Sequence, residues 1–308
     1  MRTPLRISFY FLLVFNLLCC NACFAGNTKL TDKDAMLNYF FKSLYDFSFR
    51  RADSIVVVMN NSEIDNTTLL SVKADLAWWK LLSGDAIETN LRTCDSLIHE
   101  SLSLSLKNKK KDISCLLNII YSYSLKARLE NYRGNTLKSL IYFYKSITYI
   151  EKCMQSPVKD EKLNLILGLY FYFIDYIENE YFMARAIVFS FPKGDKNMGL
   201  RYLEECSVKG DEMIGTEANY FLLKIYTYTE RDYLKAYLKV QILTQQHPHN
   251  LVYSLEQFKL LLKMKKDGEA QIFRKKLIEE IQIAKNINES QKIHFISMLG
   301  EPAKAIAK

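Results

Sequence analysis

Turn-forming residues are scarce in this chain. Only 10 Gly and 5 Pro occur in 308 residues, too few for the many tight turns of a sheet protein. Long apolar runs are scarce too. Ile7–Leu18 and Leu165–Ile174 both fall short of the ~20 apolar residues that a bilayer-spanning helix needs. Catalytic signatures are missing: the sequence has no Gly-x-Ser-x-Gly elbow, no phosphate loop and no His-Glu-x-x-His. Of the four histidines, His99, His247, His249 and His294, two form the turn His247-Pro248-His249, expected as polar surface. No Cys or carboxylate cluster joins them at metal-ligand spacing, so no metal, cofactor or catalytic residue is assigned. Acid pairs such as Glu204-Glu205 read as solvated helix faces. Scattered carboxylates of the glycosidase kind are the one enzymatic alternative the sequence leaves open.

Charge of one sign is not concentrated either. The formal net charge is +8, and removing residues 1–25 deletes Arg2 and Arg6 but no acid, leaving +6. The one dense run, Lys107 with Lys109, Lys110 and Lys111, falls between two helical patterns and reads as a solvated loop. A nucleic-acid partner would need a basic face with interleaved aromatics, and none is expected.

What is present is a folded chain of helices. Hydrophobic residues make up 49% and charged residues 25%, the ordinary balance of a globular protein. The 20 Tyr and 18 Phe are expected to fill helix–helix interfaces. At the start, Arg2 and Arg6 precede the apolar stretch Ile7–Leu18, and Cys23-Phe24-Ala25 supplies small residues ahead of Gly26. This pattern predicts a secretory signal over residues 1–25 cleaved between Ala25 and Gly26. The competing reading is a lipid anchor at Cys23. Its flanks fit poorly, because Cys20 stands where a lipobox has Leu, and Cys20 itself follows Cys19.

Helical periodicity then organises residues 26–308 as one domain of antiparallel pairs. Met36, Leu37, Phe40 and Leu44 mark the first helix, and Phe49, Ala52, Val56 and Met59 its partner. A second pair runs from Leu69 to Ser83, capped by Gly84, and from Asp85 to Leu106. A third joins 112–130 to 136–154, with the small residues Ala127, Ser139 and Ser146 at helix crossings and Pro157 as its close. Residues 160–178 are apolar all round and predict a buried helix. Further helices are expected over 180–191, 197–209, 251–265, 269–286 and 290–299.

The clearest pair is Glu217 to Asn250 (EANYFLLKIYTYTERDYLKAYLKVQILTQQHPHN). Tyr220, Leu223-Lys224, Thr227, Tyr233, Ala236, Val240, Pro248 and Asn250 give it a resemblance to the tetratricopeptide repeat, a unit of two helices in about 34 residues. Lys224, Thr227 and Leu243 depart from that pattern. Lys224 stands where a small residue lets the two helices close, so a splayed hairpin is expected there. With weaker copies before it, units open near Lys33, Leu70, Ile120, Glu180 and finally Glu217, at intervals of 37, 50, 60 and 37 residues. The resemblance thus implies an all-α, irregular, tetratricopeptide-like solenoid of about 12 helices.

It further implies an interaction scaffold whose concave face is lined by the first helix of each pair. Carried over by position, the groove residues are Trp78, Tyr121, Arg128, Asn131, Tyr181, Phe221, Ile225 and Tyr228, with Arg128 and Asn131 as polar anchors. The implied function is non-catalytic binding of a protein or peptide, with no cofactor. The implied location is the bacterial cell envelope, in the periplasm or at the outer membrane. Two alternatives stand beside it. One is a glycan-binding or glycan-processing envelope protein that stacks sugars on exposed Trp78 or Trp79. The other is a structural lipoprotein held by Cys23. Adjacent on a helix, Trp78 and Trp79 point about 100° apart, so at most one is expected in the main interface.

Cysteine spacing adds one inference. Cys115 and Cys153 lie level across the third hairpin at 1.5 Å per residue, which brings a contact, and in an oxidising compartment a disulfide, within reach. Buried free thiols are the alternative favoured by helix axes ~8–10 Å apart.

Overall fold

The computed structural model describes residues 32–155, 161–180, 189 and 191–300. The expected signal segment with Cys23, Ala25 and Gly26, the residue Pro157, and Tyr181 with most of the helix expected over 180–191 lie outside the described residues. The rest is 82% helical with no strand among the described residues. There are 13 α-helices there: α1 Asp32–Tyr45, α2 Phe49–Asn60, α3 Asn66–Leu82, α4 Ile87–Lys107, α5 Ile113–Tyr132, α6 Thr136–Met154, α7 Glu161–Glu180, α8 Lys196–Lys209, α9 Glu212–Lys224, α10 Tyr233–Gln246, α11 Leu251–Lys263, α12 Asp267–Ile283 and α13 Glu289–Met298. Each packs on the next along the chain, so the fold is an all-α, solenoid-like stack of helix pairs.

Local chemistry sets where these helices begin. Asp65, Asp112, Asp195, Asp211, Asp232 and Asn250 each accept a hydrogen bond from a backbone N–H in the first turn of the helix that follows. Asn288 and Gln291 complete a reciprocal capping box on α13. Such caps satisfy orphan N–H groups and are worth about 1 kcal/mol each. Between α9 and α10 the backbone widens into a single π-helical turn, Ile225–Thr229.

Small residues set how closely the helices approach. Buried Ser139 donates to the Ala127 carbonyl at 2.7 Å across the α5–α6 crossing. Helix α7, with Leu165, Leu169, Tyr172 and Phe173 buried, meets α8 backbone to backbone. A Cβ at Gly199 would lie 2.5 Å from the Tyr172 nitrogen.

The stack does not stay open. Its first turns dock on its last helices, about two hundred residues away. Tyr45, ending α1, donates its hydroxyl to Glu217 Oε1 of α9 at 3.0 Å, and its carbonyl accepts from Asn250 Nδ2 at 2.6 Å. Asp46 accepts from the His249 amide at 3.2 Å. One step further, the α3–α4 turn meets α13. Gln291 Nε2 donates to Ser83 Oγ at 2.7 Å, and Asn288 Nδ2 to Asp85 Oδ1 at 2.8 Å. Phe47 packs against Phe295, with ring centroids 6.0 Å apart. Most buried apolar residues from Leu37 to Leu299 therefore form one continuous core.

This seam corrects two expectations. His247 is buried, 1% exposed, between the rings of Tyr45 and Tyr253, because the turn that carries it docks on α1. Trp78 and Trp79 are both buried, so neither is an exposed platform. Trp78 lies edge-on to Tyr132 of α5, while Trp79 meets Tyr45, Phe47 and Tyr253 across the seam. Closure covers both faces of α3 where an open stack would cover one.

Two predictions concern this seam. Gly84 has φ +80°, and a Cβ there would sit 2.5 Å from the His294 side chain. Gly84→Ala should destabilise the protein by about 1–3 kcal/mol, measured by urea denaturation. His247 contacts Thr216 Oγ1 at 3.1 Å and lies 3.4 Å from Glu212. Burial, helped by the nearby Lys42 ammonium, lowers its pKa to about 4, so it is neutral at pH 7 and forms no ion pair there. The folded state penalises the imidazolium. The seam is therefore intact above pH 6.5 and weakens as pH falls from 6.5 toward 4. Between pH 7 and pH 4 the stability difference between wild type and His247→Gln should fall by about 2–3 kcal/mol. Subtraction removes the opposite contributions of Asp75 and Glu217, whose pKa values are raised by burial.

Candidate functional site

Five helices, α3, α5, α9, α11 and α13, converge on one cavity of about 240 Å³. The spacing of the lining residues shows why. Glu217, Tyr220 and Lys224 share one stripe of α9, and Val252, Leu255 or Glu256, and Lys259 share one of α11. Trp78, Trp79 and Leu82 come from α3, Arg128 from α5, and Phe295 with Met298 from α13. The walls are mainly apolar and aromatic, and one flank is charged.

That flank is a buried ion cluster. Lys224 Nζ lies 2.7 Å from Glu256 Oε2, and Lys259 Nζ lies 3.1 Å from Glu256 Oε1. The Lys224 ammonium also sits 5.4 Å above the Tyr220 ring and 5.2 Å from that of Tyr228, within cation–π range. Burial alone would push the Glu256 carboxyl up, but the ammoniums of Lys224 and Lys259 outweigh it and hold its pKa down to about 2. Burial would likewise discharge Lys224. Glu256 and the two tyrosines overcome this and raise its pKa above the ordinary lysine value.

A second polar group closes the floor. Glu217 takes the Tyr45 hydroxyl, and burial raises its pKa against the opposing pull of Arg128 and Tyr45. Behind it, the Tyr121 hydroxyl donates to Asp75 Oδ1 at 2.8 Å. Burial pushes Asp75 well above the carboxylate range despite that bond, and Glu217 pushes it further. Asp75 Oδ2 has no hydrogen-bond partner among the described residues. Arg128 lies with its guanidinium 5.9 Å from the Phe221 ring.

Of the residues expected in the groove, Trp78 and Arg128 line this cavity. Tyr121, Phe221 and Ile225 are buried beside or behind it, and Asn131 is buried at the far end of α5. Tyr228 is half-buried on the other side of Lys224. Tyr181 lies outside the described residues. Sequence reasoning missed Glu217, Tyr220, Glu256 and Lys259. Their signal was one stripe that mixes charges with aromatics on each of two helices with otherwise apolar faces. Lys224 was read as an obstacle to helix closure. It is instead the partner of Glu256 on α11, so the pair ties the α9–α10 unit to the next one.

Cys115 and Cys153 are not joined. Cys94, Cys115, Cys153 and Cys206 are all buried free thiols. The Cys115 thiol donates to the Ser105 carbonyl of α4 at 3.3 Å, away from α6. Among the described residues no group of three His, Cys, Asp or Glu is placed to hold a metal, and no helix is long and apolar enough to cross a membrane. No family model, curated protein or solved structure matches this chain.

Removing one partner of a buried pair costs several kcal/mol, whereas replacing both by apolar groups is often neutral. Lys224→Ala should therefore destabilise by about 3 kcal/mol, the lower end of that range, because Lys259 still neutralises Glu256. The double variant Lys224→Met/Glu256→Leu should recover most of the loss, as read by urea denaturation.

Proposed function

We propose that this chain is a tetratricopeptide-like, non-catalytic binding protein of the bacterial cell envelope. Its protein or peptide partner seats an apolar anchor side chain in the inner cavity. The supporting observation is the convergence of α3, α5, α9, α11 and α13 on one aromatic-walled cavity. A cavity of about 240 Å³ is the size of one or two side chains rather than of a long extended segment. A buried anchor in a desolvated pocket supplies most of the affinity in such interfaces. The charged flank gives orientation, with Lys259 nearest solvent as a steering charge. Glu256 is committed to two ammoniums and Glu217 to Tyr45, which favours recognition over general acid–base work. The Arg2, Arg6 and Ala25–Gly26 pattern supports export.

Photo-crosslinking in intact cells tests this. A benzophenone amino acid at half-exposed Met298, at the rim, should capture one defined envelope protein. The same group at exposed Leu234 on α10 should not. Filling the cavity with Val252→Trp should abolish capture while the protein stays folded by circular dichroism. The mature chain should begin at Gly26 by mass spectrometry. Capture that persists in the filled variant, or none from Met298, overturns the cavity reading, and an acylated Cys23 overturns the cleavage reading.

A further inference from the structure

A second surface stands apart from the cavity, on the face formed by α5 and α6. Lys138, Lys145 and Lys152 repeat every seven residues along α6 and are all exposed. Tyr142 and Tyr149 repeat at the same interval between them. Seven residues make nearly two helical turns, so these side chains form an almost straight stripe whose equivalent positions are about 10 Å apart.

Contacts bind the stripe into one unit. Tyr123 of α5 stacks on Tyr142 with centroids 6.3 Å apart and lies 5.9 Å from Tyr149. The Lys145 ammonium is 5.8 Å from the Tyr123 ring and 5.7 Å from that of Tyr142. Lys152 is 4.7 Å from the Tyr149 ring. The same three tyrosines pack with Cys115, Ile119 and Leu102 as a small cluster, which Tyr142 and Tyr149 join to the main core. Lys111, from the dense lysine run, holds its ammonium on the Ser105 and Leu106 carbonyls beside Cys115. The lysine loop thus borders one end of the cluster.

The charge is unbalanced. Lys138, Lys145 and Lys152 form no ion pair among the described residues, unlike Lys126, which pairs with Asp95. Glu151 is the one acid on α6. An ammonium lying on a ring keeps its charge available to an outside anion; Tyr142, which Lys126 also approaches at 5.5 Å, and Tyr149 are each half-buried, so part of each ring meets water.

We infer that the α5–α6 face binds a linear acidic polysaccharide, with carboxylates on Lys138, Lys145 and Lys152 and sugar rings against Tyr142 and Tyr149. Repeating ammoniums suit a repeating anion, and the interleaved tyrosines suit the apolar faces of pyranose rings. The spacing also equals about three residues of an extended peptide at ~3.4 Å each, so the choice of a sugar chain rests on the interleaved rings. The export pattern places acidic glycans, rather than nucleic acid, within reach. This inference is independent of the cavity.

Three probes decide it with the full chain: polygalacturonate, polyglutamate and single-stranded oligothymidylate, with neutral dextran as control. Polygalacturonate should bind more tightly than the other three, and added salt should weaken it. The variant K145E/K152E should lose at least about tenfold in affinity, while K275E/K276E, the same charge change on exposed α12, should lose less than about twofold. Tyr142→Ala should weaken binding with the lysines intact. The inference is overturned if polygalacturonate does not bind, if polyglutamate or oligothymidylate binds as tightly, or if K275E/K276E is equally damaging. An unaltered affinity in Tyr142→Ala removes the stacking role and overturns it as well. Thermal melts should show all variants folded.

Discussion

The docking of the first turns on α9, α11 and α13 is the constraint on which the rest of the structure depends. An open solenoid leaves the faces of its first and last units to water and must cap them with polar residues. Here those end faces bury one another. Tyr45 illustrates the arrangement. Its ring packs on Trp79 and His247, its hydroxyl reaches Glu217, and its carbonyl takes the amide of Asn250. The side chain and backbone of one residue therefore tie α1 to α9 and to the start of α11. In an open stack each contact concerns only neighbours in the chain. Across the seam the core becomes one cooperative unit, and the loss of one end exposes the other.

Closure also explains why so much charge is buried. The first helix of each pair would face a wet groove in an open stack, where Lys224, Glu256, Arg128 and Glu217 could remain hydrated. Closing the stack withdraws that water, and each group must find an internal solution. Lys224 and Glu256 stay ionised because they meet at 2.7 Å and Lys259 adds a second cation. Asp75, with one oxygen satisfied and the other without a partner among the described residues, is pushed toward its neutral form. Such groups do not fill space as Leu and Phe do, because they require particular partner directions. A cavity persists beside them for that reason. Buried pairs of this kind add little net stability, so their presence at the cavity wall agrees better with orientation of a ligand than with holding the fold.

Much of this was legible from local rules. A helix opens at Asp112 where periodicity placed one, Gly84 marks a stop, and Ala127 with Ser139 marks a close crossing. Each of these acts within a turn or a hairpin, where sequence distance and spatial distance agree. What periodicity cannot carry is the identity of the surface a face meets. It assigns an apolar stripe to α3 but not the α9 and α11 residues that meet it from more than a hundred positions away. His247 shows the difference. In sequence it is a polar residue in a turn; in space that turn is a docking element. Lys224 was misread for a related reason: its partner stands 32 residues on, in the next pair, outside the repeat template that made it look anomalous. Glu217 and Glu256 carried a usable signal, since an acid in the apolar stripe of a helix calls for a cation or a proton.

The two halves of each pair are left with different freedoms. First helices lose theirs to closure, because every side chain on their inner faces must suit a cavity or a core. Second helices keep one face outward, and α6 keeps a long one. A row of like charges there costs the fold little. Charges about 10 Å apart are separated by roughly a Debye length at physiological salt, and the tyrosine rings beneath them offer compensation. The row is thus free to be set by what lies outside the protein. The rings have a folding role, since Tyr123, Tyr142 and Tyr149 pack on buried apolar residues of α4 and α5. A row of exposed lysines at the same seven-residue interval, with no ion pair among the described residues, is the part of the molecule that folding alone does not require.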